Sequence, residues 1–383
     1  MTPESAEDVA AIRQAVRDFA RKDLERVADR MDREDYWPAE VFRRLGELGF
    51  LGPTIPPELS GAGLGYEAQA VILEELARVS PAFALSVGAH SNLCLDNLFR
   101  HATESQRARY VPNLASGRSV GALALTEPGS GSDALSLRTR ATRRGGTYVL
   151  EGSKQFITNG PIADTYLVYA KTDPDRGAHG ISAFIVERRF SGVQVTRQLD
   201  KMGMRGSPTG ELVFDHVEVP SENLLGTENE GVSVVMSGLN VERAVLAAIP
   251  LGIMAECLDR SVAYARTREQ FGQPIGRFQL IQEKLADMYM QLEASRGLVA
   301  AALRSVATDL RHGRAACAAL TYASEASTRV ALQAIQIHGG YGYMRDLPLE
   351  RLMRDAKLLE IGAGTSEIRR LVIARELLGP GFP

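Results

Sequence analysis

Residues 314–338 contain neither glycine nor proline, and this run constrains the fold more than any other part of the chain. At 1.5 Å per residue it suits a helix of roughly 37 Å. Residues 277–312 read the same way, interrupted only by Gly297. Helices of this length joined by short connections imply a bundle. The final helix is expected from Ser366, with Gly379-Pro380 as its stop signal. The beginning of the chain is also helical in pattern. Ser5 with Asp8 resembles a capping box, and Val9, Ile12, Val16 and Phe19 then mark one apolar face. A Gly/Pro loop over 49–65, with Pro53, Pro56 and Pro57, interrupts this pattern. Helices resume at Ala68 and run past a second cap, Thr103 with Gln106.

Between the helical segments the period changes. From Ser119 to about Pro220 short β-rich runs alternate with Gly, Pro and Asp. Gly145-Gly146 reads as a tight hairpin turn, and further strands are expected over 165–171, 181–186, 193–198 and 211–219. Several strands with closely spaced turns predict a small barrel or sandwich. The order is helices, strands, helices, with boundaries placed at 1–118, 119–228 and 229–383.

Composition narrows the function classes. Lys plus Arg number 44 against 47 for Asp plus Glu, so there is no general attraction to nucleic acid or acidic membranes. No apolar run approaches the ~20 residues that span a bilayer. The acidic amino terminus (Glu4, Glu7, Asp8) lacks targeting character, which makes the cytoplasm the default, or the mitochondrial matrix for a processed organellar chain. Cys94, Cys257 and Cys317 match no metal or redox spacing and read as buried thiols. The six histidines, His90, His101, His179, His216, His312 and His338, show no metal-ligand spacing and read as structural or surface residues.

The middle segment opens with Ala124-Leu125-Thr126-Glu127-Pro128-Gly129-Ser130-Gly131-Ser132-Asp133, small and hydroxylated residues that leave backbone N–H groups open to an anionic or carbonyl-rich ligand. It fails as a dinucleotide fingerprint because strand residues follow where a helix should begin. Phe156-Ile157-Thr158-Asn159-Gly160 ends a strand. Arg268-Glu269-Gln270-Phe271-Gly272, Gln279, Gln336-Ile337-His338-Gly339-Gly340 and Gly362-Ala363-Gly364-Thr365-Ser366-Glu367 follow. Taken together and in this order, these segments resemble the acyl-CoA dehydrogenase family over essentially the whole chain. The isovaleryl-type members are the nearest likeness, through Gly88-Ala89-His90-Ser91-Asn92-Leu93-Cys94 and Lys201-Met202-Gly203-Met204-Arg205-Gly206-Ser207.

The resemblance implies an α+β architecture: an all-helical amino-terminal domain, a central β-barrel domain and a carboxy-terminal four-helix bundle, assembled as a homotetramer. It implies bound FAD, shared between subunits. Leu123, Ala124, Leu125, Thr126, Gly131, Ser132, Phe156, Ile157 and Thr158 match segments around the flavin ring, with Thr126 and Thr158 as hydrogen-bonding candidates. Arg268 and Gln279 match positions that hold the pyrophosphate and nearby groups of FAD bound to the partner subunit. Gln336, Gly339 and Gly340 fall where backbone approaches the dinucleotide closely, and Thr365, Ser366 and Glu367 open a helix whose positive end suits a phosphate. Ser132 matches a contact to CoA. Asn240, Arg243, Gly362, Ala363 and Gly364 belong with the substrate. Electron-transfer flavoprotein is the implied acceptor. Phe156 stands where most of the family has Trp, a smaller aromatic wall.

The base motif common in the family, Tyr-Glu-Gly-Thr, reads Gly362-Ala363-Gly364-Thr365 here, and Ala363 cannot remove a proton. Either the chain is a flavin- or acyl-CoA-binding homologue without catalysis, or the base lies elsewhere. Isovaleryl-type enzymes place a glutamate on an earlier helix, and Asn240-Val241-Glu242-Arg243 matches that site. Read without the resemblance, Glu242 is first a surface residue paired with Arg243 or a neighbouring charge. Helical neighbours Gly238, Leu239, Val245 and Leu246 favour partial burial, which raises a carboxyl pKa toward the range of a general base. The activity implied is removal of the α-proton by Glu242 with hydride transfer to the flavin, giving a trans-2-enoyl-CoA. The small Gly362 and Ala363 leave room for a short branched chain, or for a longer or straight one.

Overall fold

A computed structural model of the chain describes residues 6–311 and 313–379. Ser5, His312 and Pro380, each of which carried an expectation, lie outside the described residues. Among the described residues, α1 (Ala6–Phe19), α2 (Glu25–Glu34), α3 (Ala39–Glu47), α4 (Tyr66–Val79), α5 (Pro81–Gly88), α6 (Asn97–His101) and α7 (Glu104–Ala115) precede the sheet. The chain widens to π-helical geometry over Ala89–Asp96, between α5 and α6. The cap expected at Thr103 forms: its hydroxyl accepts from the Gln106 N–H at 3.3 Å, and the Gln106 side chain accepts from the Thr103 N–H at 2.9 Å.

Eight strands follow: β1 (Gly121–Ala124), β2 (Arg140–Arg144), β3 (Thr147–Thr158), β4 (Thr165–Lys171), β5 (Ile181–Glu187), β6 (Val193–Gln198), β7 (Thr209–Pro220) and β8 (Leu224–Leu225). Gly145 and Gly146 close the β2–β3 hairpin, with Arg144 opposite Thr147. The sheet runs β6-β7-β3-β2-β4-β5-β8, with β1 parallel to β4. Its end strands do not meet, so the barrel that the resemblance implies is an open sheet here. Two reasons are physical. Strand β6 is polar and exposed at Gln194, Thr196, Arg197 and Gln198, as suits an edge, and β8 is only two residues long.

The sheet is buried on both faces where it matters. Along β4, Tyr166, Val168 and Ala170 join one core and Leu167 and Tyr169 the other; along β5, Phe184 and Val186 oppose Ile181, Ala183 and Ile185. This is the period-2 alternation of a strand with two apolar sides. Residues of α7, the π segment and the start of α8 (Gly231–Leu246) supply the second of these cores: Val111, Leu114, Cys94, Val234 and Val235.

The remaining helices are α9 (Ala248–Thr267), α10 (Gln279–Thr308), α11 (Arg314–His338), α12 (Gly340–Tyr343), α13 (Leu349–Leu359) and α14 (Ser366–Leu378). Helix α11 buries a face of small residues, among them Ala316, Ala319, Ala323, Ser324, Ala326 and Ala331, which lets neighbouring helices approach closely. One continuous core joins the first and third segments, from Val16, Phe42 and Phe83 to Ile253, Val299 and Val330. The stretch Gly231–Thr267 is long and apolar enough, by length and composition alone, to cross a membrane. Of its most apolar window 72% is buried inside the protein, so that apolarity serves the core.

Candidate active site

Helix α8 carries the central carboxylate. Gly238 lets the helix close on α6: a Cβ there would lie 2.7 Å from Asn97 Nδ2. One turn later Glu242 is 2% exposed, and its Oε2 has no hydrogen-bond partner. Burial pushes its pKa up to about 7, and Asn92 of the π segment opposes that rise. The Asn92 amide is near yet not aligned for a hydrogen bond, since both of its polar atoms are also unpaired.

The neighbouring Arg243 ties α8 to the loop over 362–364. Its Nε donates to the Ala363 carbonyl at 3.0 Å and its Nη1 to Asn240 Oδ1 at 3.3 Å. Ala363 sits at φ +55° and Gly364 at φ +93°. The left-handed region costs a non-glycine residue about 1–2 kcal/mol, so this loop is held where it would not settle unaided. Asn240, expected beside the substrate, makes two bonds within the protein. Its Nδ2 donates to the Leu310 carbonyl at 2.9 Å while Oδ1 accepts from Arg243, so the amide is used to fasten the α10–α11 connection.

A second group of expected residues lies at the sheet. The β3–β7 pairing slips between Lys154 and Ile157, and this bulge turns Phe156 outward at φ +60° and 62% exposure. Bulges re-aim side chains in this way. Thr126 is fastened alongside, its carbonyl accepting from the Gln155 N–H at 2.8 Å. Leu123, Thr126 and Thr158 are half-buried, and Gly131 and Ser132 are exposed. The side chains of Ala124, Leu125 and Ile157 point into apolar cores, so only their backbone is open to a ligand.

A third group lies apart from these. Arg268, Gly339 and Gly340 line a groove of about 500 Å³ with Gln270, Tyr341 and Met344, and neither Glu242 nor any β3 residue contributes to its walls. The Arg268 guanidinium lies 5.6 Å from the Tyr341 ring centre. Gln279 and Gln336 are exposed outside its lining. Thr365 caps α14 by accepting from the Ile368 N–H at 3.3 Å; Ser366 is buried and Glu367 exposed.

Sequence reasoning missed Lys154. It is 0% exposed, and its ammonium donates to the Leu125 carbonyl at 3.0 Å, the Tyr169 carbonyl at 2.8 Å and Glu127 Oε1 at 2.9 Å. Glu127 also accepts from the backbone N–H groups of Arg138 at 2.6 Å and Thr139 at 2.9 Å, and from the Thr139 hydroxyl at 2.6 Å. This hub locks the 124–133 loop onto β3 just before Phe156. Strand parity is the signal for it: Tyr148 and Leu150 place Lys154 on an inward face.

Comparison with known proteins agrees with this architecture. Residues 6–118 match the acyl-CoA dehydrogenase N-terminal domain, 122–217 the middle domain and 229–378 the C-terminal domain. A mitochondrial isovaleryl-CoA dehydrogenase of Oryza sativa subsp. japonica is 50% identical, with 95% of this chain and 90% of the relative covered. A mitochondrial 2-methylacyl-CoA dehydrogenase of Solanum tuberosum is 49% identical, with 95% and 89% covered. Butyryl-CoA dehydrogenase from Megasphaera elsdenii superposes with a TM-score of 0.96 at 38% identity, covering 99% of this chain and 100% of its own. A chain solved in work on the electron transferring flavoprotein of Acidaminococcus fermentans gives 0.96 at 40% identity, with 99% and 100% covered. The FAD complex of PigA gives 0.93 at 29% identity, with 98% and 99% covered. Agreement of all three segments, in order and at this identity, leaves one conclusion: the chain belongs to the acyl-CoA dehydrogenase family.

Proposed function

We propose that this acyl-CoA dehydrogenase oxidises a short branched-chain thioester, isovaleryl-CoA or a close analogue, to the corresponding 2-enoyl-CoA, with Glu242 taking the α-proton. One observation supports this reading most: among the described residues Glu242 is the buried carboxylate with an unpaired oxygen, on the helix whose next residue grips Ala363. A carboxyl with pKa about 7 is poised to abstract a proton near neutrality. The α-proton beside a thioester is weakly acidic, so the developing enolate oxygen needs donors already in place. A backbone N–H of the 362–364 loop fills that role, and Arg243 braces the loop by its grip on the Ala363 carbonyl.

The residues present fit FAD. Gly129, Gly131, Gly339 and Gly340 have nothing within 4 Å of where a Cβ would stand, so their backbone is open to a ligand, and the last two share a groove with Arg268. Bound there, FAD supplies the hydride acceptor. Thr126 and Thr158 would hold its ring, and Arg268, Gln279, Gln336, Gly339 and Gly340 would hold the FAD of a neighbouring copy. A homo-oligomer, a tetramer in this reading, is therefore part of the site, and an electron-transfer flavoprotein is its electron acceptor. Exposed Ser132 would meet CoA.

The branched substrate follows from space. A Cβ added at Gly362 would meet only the Leu358 carbonyl, at 3.6 Å, and Ala363 adds one methyl group. Anaerobic loss of flavin absorbance, followed with straight and branched acyl-CoAs of graded length, tests this. Isovaleryl-CoA or 2-methylbutyryl-CoA should react fastest. A straight chain of six or more carbons reacting about tenfold faster overturns the substrate assignment, and no reaction with any thioester overturns the activity.

A further inference from the structure

The π segment over Ala89–Asp96 has a use for nearly every polar side chain it buries. His90 accepts from the Gly121 N–H at 2.9 Å through Nδ1, so its Nε2 donates to the Leu114 carbonyl at 3.0 Å. Ser91 donates to the Leu51 carbonyl at 2.7 Å. Asp96 accepts from Thr54 at 3.0 Å and from Arg100 at 2.8 Å. Asn92 is the exception. It is 1% exposed, yet neither amide atom has a partner, and an amide buried so completely costs about 1–3 kcal/mol when left unpaired. Its position explains the vacancy. Gly238 of α8 packs on Asn97, and the two segments run antiparallel, so Glu242, one turn further, falls opposite Asn92. The wider π turn rotates side chains away from α-helical directions, a distortion found often at functional sites.

We propose that Asn92 is the positioning residue for Glu242: its amide N–H takes carboxylate Oε2, fixes the rotamer that faces the acyl chain and favours the ionised base. This rests on Glu242 being the base. Two unpaired groups that face each other in a dry site complete one another through a small rotamer change, and the donor favours the charged form of the acid.

Charge does not substitute for Asn92. Burial and Asn92 are the influences on Glu242 among the described residues. Arg243, beside it on α8, turns to Ala363. His90 is held neutral by burial, its pKa pushed down to about 4. Arg100 and His101 of α6 reach Ser237 at 3.1 and 3.0 Å. Glu74 and Glu75 of α4 are paired with Arg13, Arg17 and Arg296. Glu187 of β5 is paired with Arg109, and on α11 the thiol of Cys317 is pushed up by burial.

The test uses the flavin-loaded enzyme and two independent readings. The melting-temperature difference between the native enzyme and Glu242→Gln, followed from pH 5 to 9, reports Glu242 ionisation without turnover. The acid limb of the kcat profile reports it during turnover. With Asn92→Leu, both midpoints should move about one unit alkaline, and kcat at pH 7 should fall up to about tenfold. Unmoved midpoints in both readings overturn the proposal. Should Asn92→Leu fail to fold, Asn92→Asp, of the same size, is read instead, and an unmoved stability midpoint there also overturns it. A moved stability midpoint with an unmoved kcat profile upholds the contact and overturns Glu242 as the base.

Discussion

Glu127 and Glu242 are both nearly removed from water, at 6% and 2% exposure, and the fold treats them in opposite ways. Glu127 has Lys154 at 2.9 Å and three further donors, from Arg138 and Thr139. Its pKa is lowered despite burial, because the lysine and these hydrogen bonds favour the anion. Glu242 has an unpaired oxygen and no cation, and burial lifts it to about 7. Burial sets the cost of the charge, and partners decide whether the charge is kept. A carboxylate whose hydrogen-bonding capacity is already filled can hold a loop, whereas one with capacity left over can accept a proton.

The contrast can be broken by experiment. The largest effect belongs to Glu242→Gln, which should retain bound flavin and lose flavin-reduction rate by about 10³-fold or more. Normal turnover in that variant would end the distinction drawn here. The converse change, Glu127→Gln, strands the Lys154 ammonium in the core and should cost about 3–5 kcal/mol of stability, read as a lowered denaturation midpoint. An equal loss of stability from both substitutions would remove the contrast. The smallest effect is a sharpening by pH. The Glu242 pKa is raised on folding, so the stability it contributes is complete below its ordinary value of 4.5 and is lost as pH rises through about 7. Turnover runs the other way: kcat/KM should fall about tenfold for each unit below pH 7, because the protonated acid is no base. A profile flat from pH 5 to 8 would contradict it.

Much of the fold was legible because its signals are local. Gly145-Gly146, the Thr103 cap and the unbroken run over 314–338 each declare one element through backbone preferences that neighbouring residues share. The open sheet was not legible, since closure depends on whether distant strands β6 and β8 meet. The apolar stretch Gly231–Thr267 shows the same limit, for only packing tells a core helix from one built for lipid. Within the site, the pairing of Arg243 with Ala363 spans 120 residues, and the commitment of Asn240 to the Leu310 carbonyl spans 70. Neither leaves a mark on sequence spacing.

By itself the sequence determined the helix–strand–helix order, the family, and that Ala363 carries no side chain able to take a proton. Tertiary structure alone decided that Glu242 is dry and incompletely paired, that Asn92 faces it, and that Lys154 neutralises Glu127. The reason is that a side chain's identity fixes what chemistry it can perform, while its protonation and aim depend on desolvation and on partners brought from far along the chain.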